Sequence, residues 1–481
     1  MSIFENLEPK DALHYFAIIC SIPHPSGHEQ ALAEKIADLA KEKGLSVKTD
    51  HAGNVRIDRP PADGMENAPH IILQGHLDMV PAAIPGKDFD FRKQPIEPVV
   101  RDGKIFANGT TLGADNGAGA AAALAMLFDP ELKVGKLSGL FTVGEETGLV
   151  GANALESEML DGDWLFNLDS GEFHKFCIGC AGGARLSMEF PLKRCHAPAG
   201  NPFTVRLSGL AGGHSGMNIH ENRGNALILL LQFLQNLSVS GIISVNGGAA
   251  DNVIPGSAEA EIVTEQEIGQ IQASAAEFIR ESSLHFSAPE EYRVEVYSGT
   301  KSKIWDPDFM KKFLRNAATV PNGVFSMDET LGIVKTSSNF ASIETLEDRL
   351  IIKTSQRSLE DPSRIEATEM IQQHFSGLNG IFSVSGIYPG WPADPDSEPV
   401  RLAGESYKEL YGKHPEIYAI HAGLETGAFC KKNPSLKILS IGPEEENIHT
   451  PKESLDIKKY EEFIHLLRYI LNRTVKGKEY K

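Results

Sequence analysis

Seven side chains stand out by type and by where they fall. HLD supplies His76 and Asp78, TTLGADNGAG supplies Asp115, GEET supplies Glu145 and Glu146, NLDSGE supplies Asp169, and far downstream GPEEENIHTP supplies His449. The run LSGLFTV reads as a buried strand, yet it ends in the adjacent carboxylates Glu145 and Glu146, with glycines on both sides. Two imidazoles and several carboxylates, with no thiolate among them, are what a borderline divalent metal takes: zinc accepts both donor types, and carboxylates also suit manganese or cobalt. Singly, each residue has an ordinary reading. A lone histidine near a strand end is usually a satisfied core or surface residue, an Asp before Asn-Gly is usually a helix cap, and Glu444, Glu445 and Glu446 read as a solvated loop. For the rest the ordinary readings fail together, because chance does not readily place them all at one edge of one sheet.

The elements that must position these residues follow from periodicity. HIILQGHLD (70–78), LSGLFTV (137–143) and WLFNLD (164–169) are short apolar runs that finish in polar residues. NGAGAAAALAMLF (116–128) has the alanines of a helix packed on a sheet, and two amphipathic helices flank SIPHPSG between Pro9 and Gly44. This alternation predicts an α/β domain, a mostly parallel sheet with helices on both faces, whose ligands bind beyond the carboxyl ends of the strands. After about Gly183 the texture changes. SMEFPLK, NPFTVRLSG and AEAEIVTE alternate with period two, as half-buried antiparallel strands do, and RGNALILLLQFLQNL reads as a helix. GESYKELYG, LKILSIG and the closing helix DIKKYEEFIHLLRYILNR return to α/β character. The expected organisation is a catalytic domain in two parts, 1–182 and 390–481, interrupted by an inserted α+β lid domain, 183–389. That insert could be a tandem repeat, with DNVIPGSAEAEIV (251–263) set against SNFASIETLEDRLIIK (338–353).

Composition narrows the partners. A chain of 481 residues with 41% apolar content can bury two cores. Its 46 basic against 65 acidic residues give a net charge of −19, which repels phosphate backbones and anionic surfaces and argues against nucleic acid or a membrane as partner. No apolar run has the length of a membrane span, and the N-terminal stretch lacks the features of a signal peptide, so a cytoplasmic location is expected. Five cysteines form no disulfide framework. Cys177 and Cys180 form a CxxC with no second pair to complete a zinc site, and read as buried thiols.

HLDMV, TLGADNGAG, EETGLVGA, NLDSGE, CAGG, AGGHSG with NRGNA, NVIP, HAGLE and IHTP, in this order over almost the whole chain, resemble the aminoacyl-histidine dipeptidases. These are carnosinase-like enzymes within the di-zinc metallopeptidase family that also includes peptidase T and the aminoacylases. The resemblance implies two divalent metal ions per chain, zinc in the first place with cobalt or manganese as alternatives. His76 and Asp169 would hold one ion, Glu146 and His449 the other, and Asp115 would bridge both around a shared water. Asp78 would orient His76 as a supporting carboxylate, and Glu145 would be the general base and acid. Neighbours on an extended segment point to opposite sides, so Glu146 can face a metal while Glu145 faces the reacting water.

The resemblance implies that His214, Asn252 and Arg357 from the inserted domain, and Gly423 from the second part of the catalytic domain, bind substrate. Arg357 suits a free α-carboxylate through its bidentate fork, and Gly423 would let backbone approach the substrate. Two departures are small: Gly171 stands where many relatives carry a second acid, and Asp at 169 leans towards the aminopeptidase and dipeptidase branches. The resemblance therefore implies a cytosolic dipeptidase acting on small unblocked dipeptides, notably Xaa-His such as beta-alanyl-histidine. A deacylase of N-acyl amino acids is the alternative within the same reaction class. A catalytically dead, metal-stabilised binding protein is a third reading, and no base or ligand is missing to support it. A homodimer is among the states that relatives of this length adopt.

Overall fold

The computed structural model describes residues 3–237, 239–286 and 291–474. They form two compact units. The first takes the residues up to Gly179, Ala393–Ala419 and those from Leu424 on, and the second takes Cys180–Pro392 and Ile420–Gly423. Among the described residues no helix is long and apolar enough to cross a membrane.

The first unit is built on an eight-stranded sheet. Its centre is four parallel strands, side by side in the order Leu137–Thr142, Ile71–His76, Trp164–Asn167 and Lys437–Ser440. The parallel character expected from the sequence resides in these four; their flanking neighbours, Val55–Arg59 on one side and Lys175–Cys180 on the other, run antiparallel. Three of the central strands are buried at every residue, which requires cover on both faces and explains why they read as continuous apolar runs. Part of that cover is the helix Ala114–Phe128, buried along nearly its whole length. Its small residues are there for close approach. A Cβ added at Gly119 would meet the Leu168 carbonyl oxygen at 2.2 Å, and one added at Gly75 on the facing strand would meet Asn116 Oδ1 at 2.3 Å.

The second unit contains a nine-stranded sheet whose ladders are antiparallel. Its chain path repeats one pattern twice: strand, helix, strand, strand, helix, strand. One copy runs Asn201–Ser208, Ala226–Asn236, Gly241–Gly247, Ser257–Thr264, Ile268–Ser282 and Arg293–Ser298. The other runs Gly182–Pro191, Pro307–Ala317, Ile333–Thr345, Arg349–Ser358, Asp361–Phe375 and Ile381–Tyr388, with Gly323–Asp328 as an added strand beside Ile333–Thr345. Within each copy the fourth strand lies beside the first, the first beside the third and the third beside the second, the split βαβ arrangement of ferredoxin-like folds. The first copy lies wholly between the first strand and the first helix of the second copy, and the two second strands meet at Gly247 and Ile343. The unit is thus duplicated, but the match read from the sequence is out of register. Ser257–Thr264 corresponds to Arg349–Ser358, and Asn339 lies inside a strand and not ahead of one. A core that includes Leu186, Phe190, Phe233, Trp305, Phe340 and Phe375 fills the unit.

Candidate metal centre

All four parallel strands of the first unit deliver polar residues at their carboxyl ends. His76 closes its strand and is 1% exposed. Its Nδ1 lies 2.9 Å from the Asp78 carbonyl oxygen. That hydrogen bond uses Nδ1–H and leaves Nε2 to engage another partner. Nε2 faces carboxylates, 3.0 Å from Asp115 Oδ1 and 3.7 Å from Asp169 Oδ1. The other oxygen of Asp115, Oδ2, is 3.1 Å from His449 Nε2, which is also 2.7 Å from Glu146 Oε1. Asp115 therefore offers one oxygen to each histidine. One ligand atom each from His76, Asp115 and Glu146 lie within 4.8 Å of one another. Asp115 does not serve as the ordinary cap of an Asp-Asn-Gly helix start, because both of its carboxylate oxygens face histidines.

The side chains around this set hold its backbone. The Asp78 carboxylate accepts the backbone N–H groups of Glu145 at 2.9 Å and Glu146 at 3.1 Å, and the Ser26 hydroxyl at 2.9 Å. Its Oδ1 is 3.4 Å from His76 Nδ1, so the shorter contact to the imidazole is made by its carbonyl, and the carboxylate serves chiefly the segment that carries the two glutamates. Glu453, 2% exposed, accepts four successive backbone N–H groups, those of Leu112, Gly113, Ala114 and Asp115, at 2.7 to 3.2 Å. Glu425, 2% exposed, accepts from Gln74 Nε2 at 2.7 Å and Thr142 Oγ1 at 2.9 Å.

Burial raises the Glu145 carboxyl to about 8, helped by Glu425, Glu146 and Asp115 and opposed by His76. Burial likewise pushes Asp169 and Glu445 well above the carboxylate range. Desolvation would raise Asp115 too, yet hydrogen bonds with His449 and His76 hold it well below that range. His449 is raised to about 10, first by its hydrogen bond with Asp115. Among the described residues no Lys or Arg pairs with Asp115, Glu145, Glu146, Asp169 or Glu445. Glu146 Oε1 is buried and, although close to His449, makes no hydrogen bond of proper geometry; Glu445 Oε1 is buried without a partner. A nest of carboxylates served by two imidazoles, with orphaned oxygens inside, fits divalent cations.

Three of these acids escape the sequence. Glu445 corrects the reading of 444–446 as a solvated loop: Glu446 does reach outward, to Lys104 at 2.6 Å, but Glu445 places a carboxylate oxygen inside. Glu453 follows His449 by four residues and Glu425 opens a helix; nothing in their local sequence signals burial.

The remaining candidates lie in the second unit. His214 sits on the short strand Gly213–His214, and its Nδ1 accepts the backbone N–H groups of Gly216 at 3.2 Å and Met217 at 3.1 Å. Nε2 must then carry the proton. Burial first, and Arg357 second, lower its pKa and keep the ring neutral. Arg357 and Asn252 line one pocket together with Tyr388. Gly423 lies against Tyr388, whose Cε2 would be 2.7 Å from an added Cβ. Cys177 and Cys180 are buried, as the sequence reading had them.

A sheet that gathers imidazoles and carboxylates at the ends of its parallel strands, with an acid of raised pKa beside them, is the build of a metal-dependent hydrolase. Residues 72–473 match the model of peptidase family M20/M25/M40, and the chain belongs to that family. It is 38% identical over 480 residues to the cytosol non-specific dipeptidase of Escherichia coli (strain K12), covering 98% of this chain and 99% of that protein. The crystal structure of the aminoacylhistidine dipeptidase from Vibrio alginolyticus is similar with a TM-score of 0.93 at 36% identity, over 98% of both chains. A tripeptidase from Staphylococcus aureus subsp. aureus Mu50 shares the fold, with a TM-score of 0.58 at 19% identity over 98% of this chain and 99% of its own.

Proposed function

We propose that the protein is a metal-dependent dipeptidase of the cytosol that hydrolyses small unblocked dipeptides, Xaa-His substrates such as beta-alanyl-histidine among them. The names of the Escherichia coli and Vibrio alginolyticus relatives support the substrate class. The observation that carries the chemistry is the division of Asp115, one oxygen towards His76 and the other towards His449. It supports two ions sharing Asp115, with His76 and Asp169 on one side and Glu146 and His449 on the other. Zinc suits these donors first, and cobalt or manganese would also be accepted.

When bound, such ions supply Lewis acidity to the scissile carbonyl and acidify water. Glu145 would take the proton of the attacking water on its carboxylate and return it to the leaving amine, and divalent charge nearby would lower its raised pKa. Asp78 holds the backbone of Glu145 and Glu146 in place. From the second unit, the neutral His214 would donate from Nε2–H to the oxyanion. Arg357 would take the α-carboxylate with Asn252 beside it, and Gly423 would bound the same pocket. The inserted segment 183–389 acts in this reading as the lid.

A panel with glycyl-histidine, beta-alanyl-histidine and their N-acetylated amino acid counterparts, each with zinc, manganese or cobalt, tests the proposal. Turnover of the dipeptides far above that of the acetylated compounds is expected. Preferential release of acetate would replace the dipeptidase by a deacylase.

A further inference from the structure

Tyr388 ends the edge strand Ile381–Tyr388, whose register with Gly182–Pro191 breaks between Ser385 and Tyr388. Gly386, inside the break, has φ +57°, a left-handed conformation that glycine adopts without steric cost. The break brings Tyr388 opposite Gly183. A Cβ at Gly183 would come within 2.4 to 2.6 Å of the Tyr388 ring and hydroxyl, and one at Gly423 within 2.7 Å of the ring's other edge. The aromatic ring is thus seated between two glycines, and any side chain at either would evict it.

The hydroxyl so placed accepts an N–H from Arg357 Nη1 at 2.6 Å. Arg357 is only 8% exposed, no carboxylate pairs with it among the described residues, and its Nε has no hydrogen-bond partner. Asp251 lines the same pocket, but its carboxylate pairs with Arg185. Among the described residues, this buried guanidinium makes its one side-chain hydrogen bond to a neutral phenol and lacks the anion that would offset its desolvation. The phenol is half committed as well. It accepts from Arg357, its own proton has no acceptor among the described residues, and burial raises its pKa so that the proton is retained.

We propose that Tyr388 is a further substrate-binding residue: its hydroxyl positions the Arg357 guanidinium and donates its own proton to the same carboxylate, so that cation and phenol together grip the free carboxylate of the dipeptide. This rests on the reading of Arg357 given above, and it makes the pair Arg357–Tyr388 the determinant that favours a free carboxylate over a carboxamide.

Y388F keeps the ring between the glycines and removes only the hydroxyl. The expected result is a KM for glycyl-histidine raised about 10-fold or more, the loss typical of one hydrogen bond to a charged group, with kcat within twofold. The preference for glycyl-histidine over glycyl-histidine amide should fall by a similar factor. An unchanged KM, or a raised KM with the preference intact, overturns the role of Tyr388. R357M and the charge-retaining R357K, assayed alongside, separate the two layers. If R357M leaves KM and preference at parental values, the reading of Arg357 itself fails. If R357M loses the preference, R357K recovers part of it and Y388F matches the parent, only the inference about Tyr388 fails.

Discussion

Glu145 and Glu146 are chain neighbours with different surroundings. The Glu146 carboxylate lies 2.7 Å from His449 and within reach of Asp115 and His76, where an ion would be held. The Glu145 carboxyl is half-buried among other acids, and desolvation raises it to about 8, the condition of a group that exchanges protons. Their removal should therefore fail in two ways. Glu145→Gln should lower kcat by about 10² to 10⁴, the usual contribution of a positioned acid–base group, while metal content by plasma mass spectrometry stays at the parental value. Glu146→Ala should lower the metal content, and part of its activity should return when metal is added in excess. Parental turnover in Glu145→Gln, or full metal occupancy in Glu146→Ala, would reverse the assignment.

At the scale of elements, the centre depends on how the turn before Ala114–Phe128 is tied down. That helix has Gly113 at its start and no side-chain cap of its own; Glu453, from beyond His449, supplies the acceptors for residues 112 to 115. Glu453→Ala would leave four N–H groups without them, at a cost of about 1 to 3 kcal/mol for each that stays buried and unpaired. Glu453→Gln keeps one acceptor oxygen and should fold, yet bind metal about 10- to 100-fold more weakly, the usual effect of disturbing what orients a ligand. Competition with a chromophoric chelator reads that affinity; a parental value in Glu453→Gln would make Glu453 a matter of stability alone. The same turn shows what a sequence can tell. The strands ending at His76, Thr142 and Asn167 and the alanine-rich helix were legible because burial on both faces leaves apolar runs and close packing leaves small residues. The acids at the strand ends were legible because polar groups closing apolar runs are conspicuous. Glu445 was hidden in EEE: its strand pairs with Ser454–Asp456, so alternate side chains point in and out, and three like residues conceal which one is inside. Glu453 and Glu425 were hidden for another reason, since their partners lie hundreds of residues away in the chain. The duplication was visible only as a faint rhyme, because nesting one copy within the other separates the corresponding elements.

For the whole molecule, the division of labour between the two units has a thermodynamic consequence. His76, Asp115, Glu146 and Asp169 precede Gly179, and His449 follows Leu424, so every proposed ligand belongs to the first unit. The second unit has its own duplicated sheet and its own core. A ligand that binds only the folded form stabilises it by RT ln(1 + [L]/Kd), about 4 kcal/mol at a thousandfold excess over Kd. Two units with separate cores are not expected to melt as one two-state body. Scanning calorimetry of the intact protein, with bound metal and after chelation, should then show two transitions. Chelation should lower the first unit's transition by several degrees and leave the other within about a degree, and zinc, cobalt or manganese should restore both the first unit's transition temperature and turnover. Hydrogen exchange on the same samples identifies the moving transition, since protection should fall in Ile71–His76 and Leu137–Thr142 and persist in Ala226–Asn236 and Arg349–Ser358. A uniform shift of both transitions would mean that the units unfold together, and a shift confined to the second unit's strands would remove the metal centre from the first.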